Sequence, residues 1–201
     1  MTRRCVLLLL HEPTWQPPGM DPAAWRRALA EDAVDLLATL AQADTGLVTT
    51  PADRQFADAV RWPGMPVLTV DRATPSEALK VAAEQGYEQA AVLACDAPDL
   101  PAMLIGKLLQ PLGRRTVAAA PADAGLVGIA ACLPAPSWLH AADPDLESAS
   151  IAQLRRAAPG PGEVAATPGW HRLNHPDGLS RLDPGLEGWE ATRLLLAGQP
   201  G

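Results

Sequence analysis

Asp96 and Asp99 stand three residues apart in Cys95-Asp96-Ala97-Pro98-Asp99-Leu100-Pro101, directly after the apolar run at residues 90–95. An oxygen-rich loop at the end of a buried strand suits a hard divalent cation, Mg2+ or Mn2+, that bridges the phosphates of a bound nucleotide. Asp96 either carries that chemistry or shapes the loop through an Asx-type hydrogen bond. Asp99 either assists it or caps the helix that follows. His11 and Glu12 come directly after another apolar run, at residues 4–10. They are a pair suited to acid–base work, or else part of a solvated loop. His171 and His175 have the i, i+4 spacing of a helical zinc pair. Pro176 and the turn Asn174-His175-Pro176-Asp177-Gly178 deny them the helix, and two ligands fall short of a zinc site. Cys95 reads as a buried structural thiol, with no histidine fixed near it in sequence.

The elements that must position these residues alternate. Residues 4–10 and 90–95 are short continuous apolar runs, the signature of strands covered on both faces. Residues 45–49 and 65–70 predict two more strands. Asp21-Pro22 opens a helix expected over 22–41, with Asp as N-cap and Pro in the first turn. Further helices are expected from Pro51, from Thr74-Pro75-Ser76-Glu77 to Glu84, and over 101–110. Strand followed by helix, repeated four times before residue 110, makes a parallel sheet with right-handed crossovers. The close spacing of strands at 116–120 and 126–132 predicts a local antiparallel departure. Residues 148–157 and two segments after 177 read as helical. The Pro/Gly-rich stretch 158–169 reads as a mobile loop within a single domain spanning 1–201.

Composition excludes several partners. A formal net charge of −7 gives no cationic surface for nucleic acid. The apolar run near the start ends at His11-Glu12-Pro13, too short for a signal peptide core or a membrane span. Three cysteines without short spacing fit reduced thiols and a cytoplasmic location. The loop after the first strand has neither Gly-x-Gly-x-x-Gly nor Gly-x-x-x-x-Gly-Lys, which disfavours a dinucleotide fold and a P-loop. Trp15, Trp62 and Trp170 are loop tryptophans, anchors on the core or stacking platforms.

Gly86-Tyr87 followed by Ala91-Val92-Leu93-Ala94-Cys95-Asp96-Ala97-Pro98-Asp99-Leu100 resembles the core of small bacterial GT-A-like transferases, in particular the arsenosugar-biosynthesis-type glycosyltransferases. Pro121-Ala122-Asp123-Ala124-Gly125 resembles that family's Pro-Ala-x-Asp-Gly-Gly-Tyr. The segment His171 to Leu179 resembles its terminal Asp-(Val/Ile)-Asp-Thr-Pro-Glu-Asp-Leu. The resemblance implies a three-layer α/β/α sandwich with a mostly parallel mixed sheet, a nucleotide-sugar donor and a small-molecule acceptor. It places the metal on Asp96 with Asn174, and Asp96, Asp99 and Gly125 against the bound nucleotide. It leaves His11 and Glu12 as contacts to donor or acceptor. The chain also departs from the family: the first loop lacks the Lys-Thr-Arg element, and Asn174 stands where an aspartate is expected.

These departures keep other readings open. The domain is either a transferase with a rearranged cleft or a relative that kept the fold and lost the chemistry, acting as a binding partner or homodimer. Nucleotidyl transfer shares the fold and is a further alternative.

Overall fold

The computed structural model describes residues 2–198. Its chain order is β1 (Arg4–Leu9), α1 (Pro22–Ala38), β2 (Asp44–Thr49), α2 (Arg54–Val60), β3 (Val67–Thr69), α3 (Pro75–Glu84), β4 (Gln89–Ala94) and α4 (Ala102–Leu109). Then follow β5 (Val117–Pro121), β6 (Leu126–Cys132), α5 (Ser137–Ala142), α6 (Ile151–Ala157), β7 (Val164–Ala166) and α7 (Glu190–Ala197). The strands form one sheet in the order β3-β2-β1-β4-β6-β5-β7. Only β6 runs antiparallel to its neighbours β4 and β5, so the expected antiparallel departure is present.

Burial explains why these segments are strands. Every residue of β4 is buried, and residues 5–9 of β1 are buried as well. Alternate side chains feed two cores. Val6, Leu8, Leu93 and Ile105 lie on one face, and Leu7, Leu9, Val92 and Ile129 on the other. That is a three-layer α/β/α sandwich, as the sequence predicts. Asp21 caps α1 by accepting from the Ala24 amide at 2.8 Å, and Thr74 caps α3 through the Glu77 amide at 3.3 Å.

Three departures have local causes. Helix α1 stops at Ala38 rather than 41, because Thr39 folds its hydroxyl back onto the Leu36 carbonyl at 2.7 Å. Helix α5 fits a single short turn between prolines and leaves no helical period to read. The stretch 158–169 contains β7, which adds to the sheet edge in parallel with β5. Three residues in a Pro/Gly-rich context carry too little periodicity to be read as a strand. No helix among the described residues is long and apolar enough to cross a membrane.

Because β1–β4, β5 and β7 are all parallel, their carboxyl ends share one edge. The loops bearing His11, Asp96 and the segment after β7 therefore converge there, at the edge where open sheets bind ligands. A third core fixes the first loop. Trp25, Leu29 and Leu173 are buried together, with Trp15 packed on them. Trp15 and Trp25 meet edge to face at 6.3 Å, and the Trp25 indole donates to the Trp15 carbonyl at 3.0 Å. Trp15 is thus a loop anchor.

Candidate functional site

Asp96 lies at the centre of this edge, fully buried. Its partner is Arg172, 76 positions later and also fully buried. Arg172 Nε donates to Asp96 Oδ1 at 2.6 Å, and Nη2 donates to Oδ2 at 2.8 Å. This is the bidentate fork geometry that suits guanidinium and carboxylate. Nη1 donates to the Leu146 carbonyl at 2.8 Å and the Leu126 carbonyl at 3.3 Å, and Nη2 also donates to Glu147 Oε1. All five guanidinium N–H groups are therefore used. Burial alone would lower the pKa of Arg172, but the carboxylates of Asp96 and Glu147 raise it above the ordinary arginine value.

The backbone delivers these groups. The Leu173 amide donates to the Asp96 carbonyl at 2.7 Å and ties the segment after β7 to the end of β4. Gly125 has φ +76°, and a Cβ there would collide with the Leu146 carbonyl and lie 2.6 Å from that of Glu147. The open space beside Gly125 is filled by this backbone, which brings Leu146 and Glu147 to Arg172. Gly125 thus serves the approach of the 146–147 segment.

Glu147 is the site's other carboxylate, and its side chain is 26% exposed. Besides Arg172 it accepts from the Asn174 amide and the Thr14 hydroxyl, both at 3.4 Å, and His11 Nε2 lies 3.8 Å away. Asn174 and Asp96 therefore reach the same cluster, with Arg172 and Glu147 between them. Neither Glu147 nor the role of Arg172 emerges from sequence reasoning. Glu147 sits in a turn ordered by Asp145, which accepts from the Glu147 amide at 3.0 Å.

His11 faces Cys95 after all. The Cys95 thiol donates to the His11 carbonyl at 3.8 Å. The charge of Cys95 raises the pKa of the His11 imidazole to about 10 against the opposing effect of burial. Burial pushes the Cys95 thiol up, but the His11 charge and hydrogen bond outweigh it and hold the thiol below its usual value. Glu12 points outward, 83% exposed, with Arg26 Nη1 at 3.8 Å. The structure therefore separates the pair: His11 turns inward to the charge cluster and Glu12 lines the adjacent opening.

That opening is a cavity of about 640 Å³ lined by Glu12, Gln16, Pro22, Arg26, Arg27 and Phe56, among others. The Arg26 guanidinium lies 4.3 Å over the Phe56 ring and binds Asp53 through Nη1 at 2.9 Å. Its Nε and Nη2 have no hydrogen-bond partner.

Asp99 does not cap α4, whose N-cap position is Pro101. Instead its buried carboxylate accepts from the Trp170 indole at 3.0 Å and the Asp183 amide at 3.1 Å, with His171 Nε2 at 2.9 Å. Burial would raise its pKa, but the bonds from His171, Trp170 and Asp183 lower it below the ordinary carboxylate value. Asp99 thus ties down the C-terminal segment. Its contribution to stability is complete above the unfolded value near 3.9 and is lost as pH falls through the depressed folded value. Asp99→Asn is expected to lower stability at pH 6 and to flatten the fall in stability on acidification. Urea unfolding at pH 6 and pH 3 checks this, and an unchanged acid slope counts against it.

Asp96 and Asn174 do not fit a divalent ion in this arrangement. Both Asp96 oxygens are taken by a buried cation, and Asn174 turns its amide N–H to Glu147. Among the described residues, no group of three or more His, Cys, Asp or Glu side chains is placed to hold a metal.

The topology is that of the nucleotide-diphospho-sugar transferase type of α/β fold. The structure is similar to that of a putative nucleotide-diphospho-sugar transferase from Desulfovibrio desulfuricans G20, with 20% identity, 98% of this chain and 96% of that one covered, and a TM-score of 0.67. It is similar to CMP:2-keto-3-deoxy-manno-octonic acid synthetase complexed with CTP, with 11% identity, coverage of 98% and 100%, and a TM-score of 0.55. It is also similar to Rv0371c of Mycobacterium tuberculosis H37Rv complexed with manganese, with 15% identity, coverage of 99% and 100%, and a TM-score of 0.50. No family model and no curated protein sequence matches the chain.

Proposed function

We propose that this protein is a nucleotide-dependent transferase that moves a sugar from a nucleotide-sugar donor to a small-molecule acceptor. The observation that carries this reading is the cavity at the carboxyl edge of the sheet, with Arg26 in its wall, stacked on Phe56 and paired with Asp53. A guanidinium beside an aromatic ring is chemistry for a phosphate and a base or sugar face. Arg26 supplies, from the first helix, a cation that the Lys-Thr-Arg loop would otherwise give. The helix end itself is a poorer phosphate seat: Pro22 has no N–H, and the Ala24 amide is already held by Asp21. In this account Glu12 and His11 contact donor or acceptor at the rim. Any Mg2+ or Mn2+ enters on the phosphates of the nucleotide, as part of the substrate. One similar structure is complexed with CTP and another with manganese, which supports nucleotide binding and divalent-metal use on this fold. The motif resemblance supports the narrower assignment to the arsenosugar-biosynthesis-type glycosyltransferases.

Competition against a fluorescent nucleotide tests the site. Arg26→Ala removes one charge-assisted contact, worth about 1.5 kcal/mol or about tenfold in affinity. Equal affinity of variant and wild type would remove Arg26 from the nucleotide site. A second reading rests on the burial of Asp96 under Arg172: the cleft binds without catalysing, and the domain works as a binding partner. Donor turnover by the purified protein separates the two. The similarity to the CTP-bound synthetase favours a third, nucleotidyl transfer, which CTP consumption with pyrophosphate release would reveal.

A further inference from the structure

The carboxyl edge of β4 places an aspartate where this fold offers oxygen to a cation, and a cation is already there. We infer that Arg172 is the resident cation of this cleft, so that Asp96 carries a guanidinium in place of a divalent metal ion. The inference deepens the transferase reading but stands or falls separately from it.

Several observations converge. Arg172 takes both Asp96 oxygens at 2.6 and 2.8 Å, and both side chains are fully buried. A Mg2+ or Mn2+ ion on the same carboxylate would set a double charge against the guanidinium, in surroundings that screen charge weakly. Mg2+ would also need near-octahedral oxygen ligands, and the neighbouring groups are committed elsewhere. The Leu126 and Leu146 carbonyls accept from Nη1, and Asn174 presents its amide N–H to Glu147. The arrangement is built rather than incidental. Gly125 lets the Leu146 and Glu147 backbone approach, and the Leu173 amide fixes the chain on the Asp96 carbonyl. Arg172 meets two carboxylates with one fixed charge, and His11 Nε2 lies 3.8 Å from Glu147, the partly exposed member.

Nuclear magnetic resonance on the intact, 15N-labelled wild-type protein tests this with Mn2+ alone. A buried, bidentate arginine gives a slowly exchanging Nε–H signal. On adding substoichiometric Mn2+, the Arg172 Nε–H signal and the amides of Cys95, Asp96 and Ala97 should persist as well as those of Gly86 and Tyr87, beyond the opposite end of β4. Selective loss of these signals before all others would place the metal on Asp96 and overturn the inference. A parallel addition of CTP and of UDP-, GDP-, CDP- and ADP-linked sugars reads the transferase proposal by shift changes around Arg26. Absence of any such change would count against the transferase reading alone, leaving the Mn2+ result to decide the role of Arg172.

Discussion

Replacing Arg172 with Met should lower stability by about 3–5 kcal/mol, because Asp96 is left as a buried carboxylate without its counter-charge. At 201 residues this corresponds to a drop in Tm of roughly 6–20 °C. The loss has several parts. Asp96 and the Leu126 carbonyl lose the guanidinium as donor, whereas the Leu146 carbonyl keeps the Leu126 amide at 2.8 Å and Glu147 keeps Asn174 and Thr14. The double variant Asp96→Leu with Arg172→Met should be less damaged than Arg172→Met alone, because an apolar pair removes the stranded charge. Thermal unfolding of both single variants and the double variant forms a cycle. Additive losses would show that the two side chains do not stabilise one another, contrary to their geometry.

Gly125→Ala should cost about 3 kcal/mol. The backbone there has φ +76°, which alone costs a residue with a Cβ about 1–2 kcal/mol. The added methyl also drives into the Leu146 carbonyl, so the 146–147 segment must shift. That segment carries a carbonyl and a carboxylate bound by Arg172, so the damage spreads to the charge cluster. Urea unfolding measures the loss, and the Arg172 Nε–H signal should broaden or shift with it. Gly64 has φ +84° with open space around it, so Gly64→Ala pays the conformational cost without the collision. If the two variants lose equal stability, the close approach at Gly125 contributes nothing.

The parts of the fold legible in the sequence are those written locally. The apolar runs of β1 and β4 identify buried strands, and their ends place His11 and Asp96 on one edge. Asp21-Pro22 and Thr74-Pro75 announce their helices, because a cap and its helix are neighbours in the chain. The short spacing between β5 and β6 betrays the antiparallel strand. The site itself is mostly not local. Arg172 lies 76 positions from Asp96, and Glu147 lies 25 from Arg172. No pattern in either neighbourhood marks a buried ion pair. Asp99 has the spacing of a helix cap, yet Trp170, His171 and Asp183 claim it from far along the chain. His11 is near Cys95 only because β1 and β4 pair in register, Leu9 beside Ala94. The histidine absent from the sequence neighbourhood of Cys95 is supplied by the sheet.

This division also explains the chain's departures from its resemblance. The first loop lacks a cationic element, and Arg26, paired with Asp53, lines the wall of the adjoining cavity. Asn174 stands where an aspartate is expected, and the preceding turn of chain supplies Arg172 to Asp96. Arg26 and Arg27 line the opening and Arg172 is sealed in the sheet edge, so the cleft has its positive charges on protein side chains.

The proposed function requires this edge to bind a nucleotide donor through Arg26. The most direct measurement is a thermal-shift panel of UDP-, GDP-, CDP- and ADP-linked sugars and CTP, with Mn2+ and with chelator, on wild type and Arg26→Ala. A donor at about 100 times its Kd should stabilise the wild type by roughly 2.7 kcal/mol, and the variant by clearly less at the same concentration. No shift from any nucleotide, with or without the metal, would contradict the claim and leave the fold with a cleft that serves another partner.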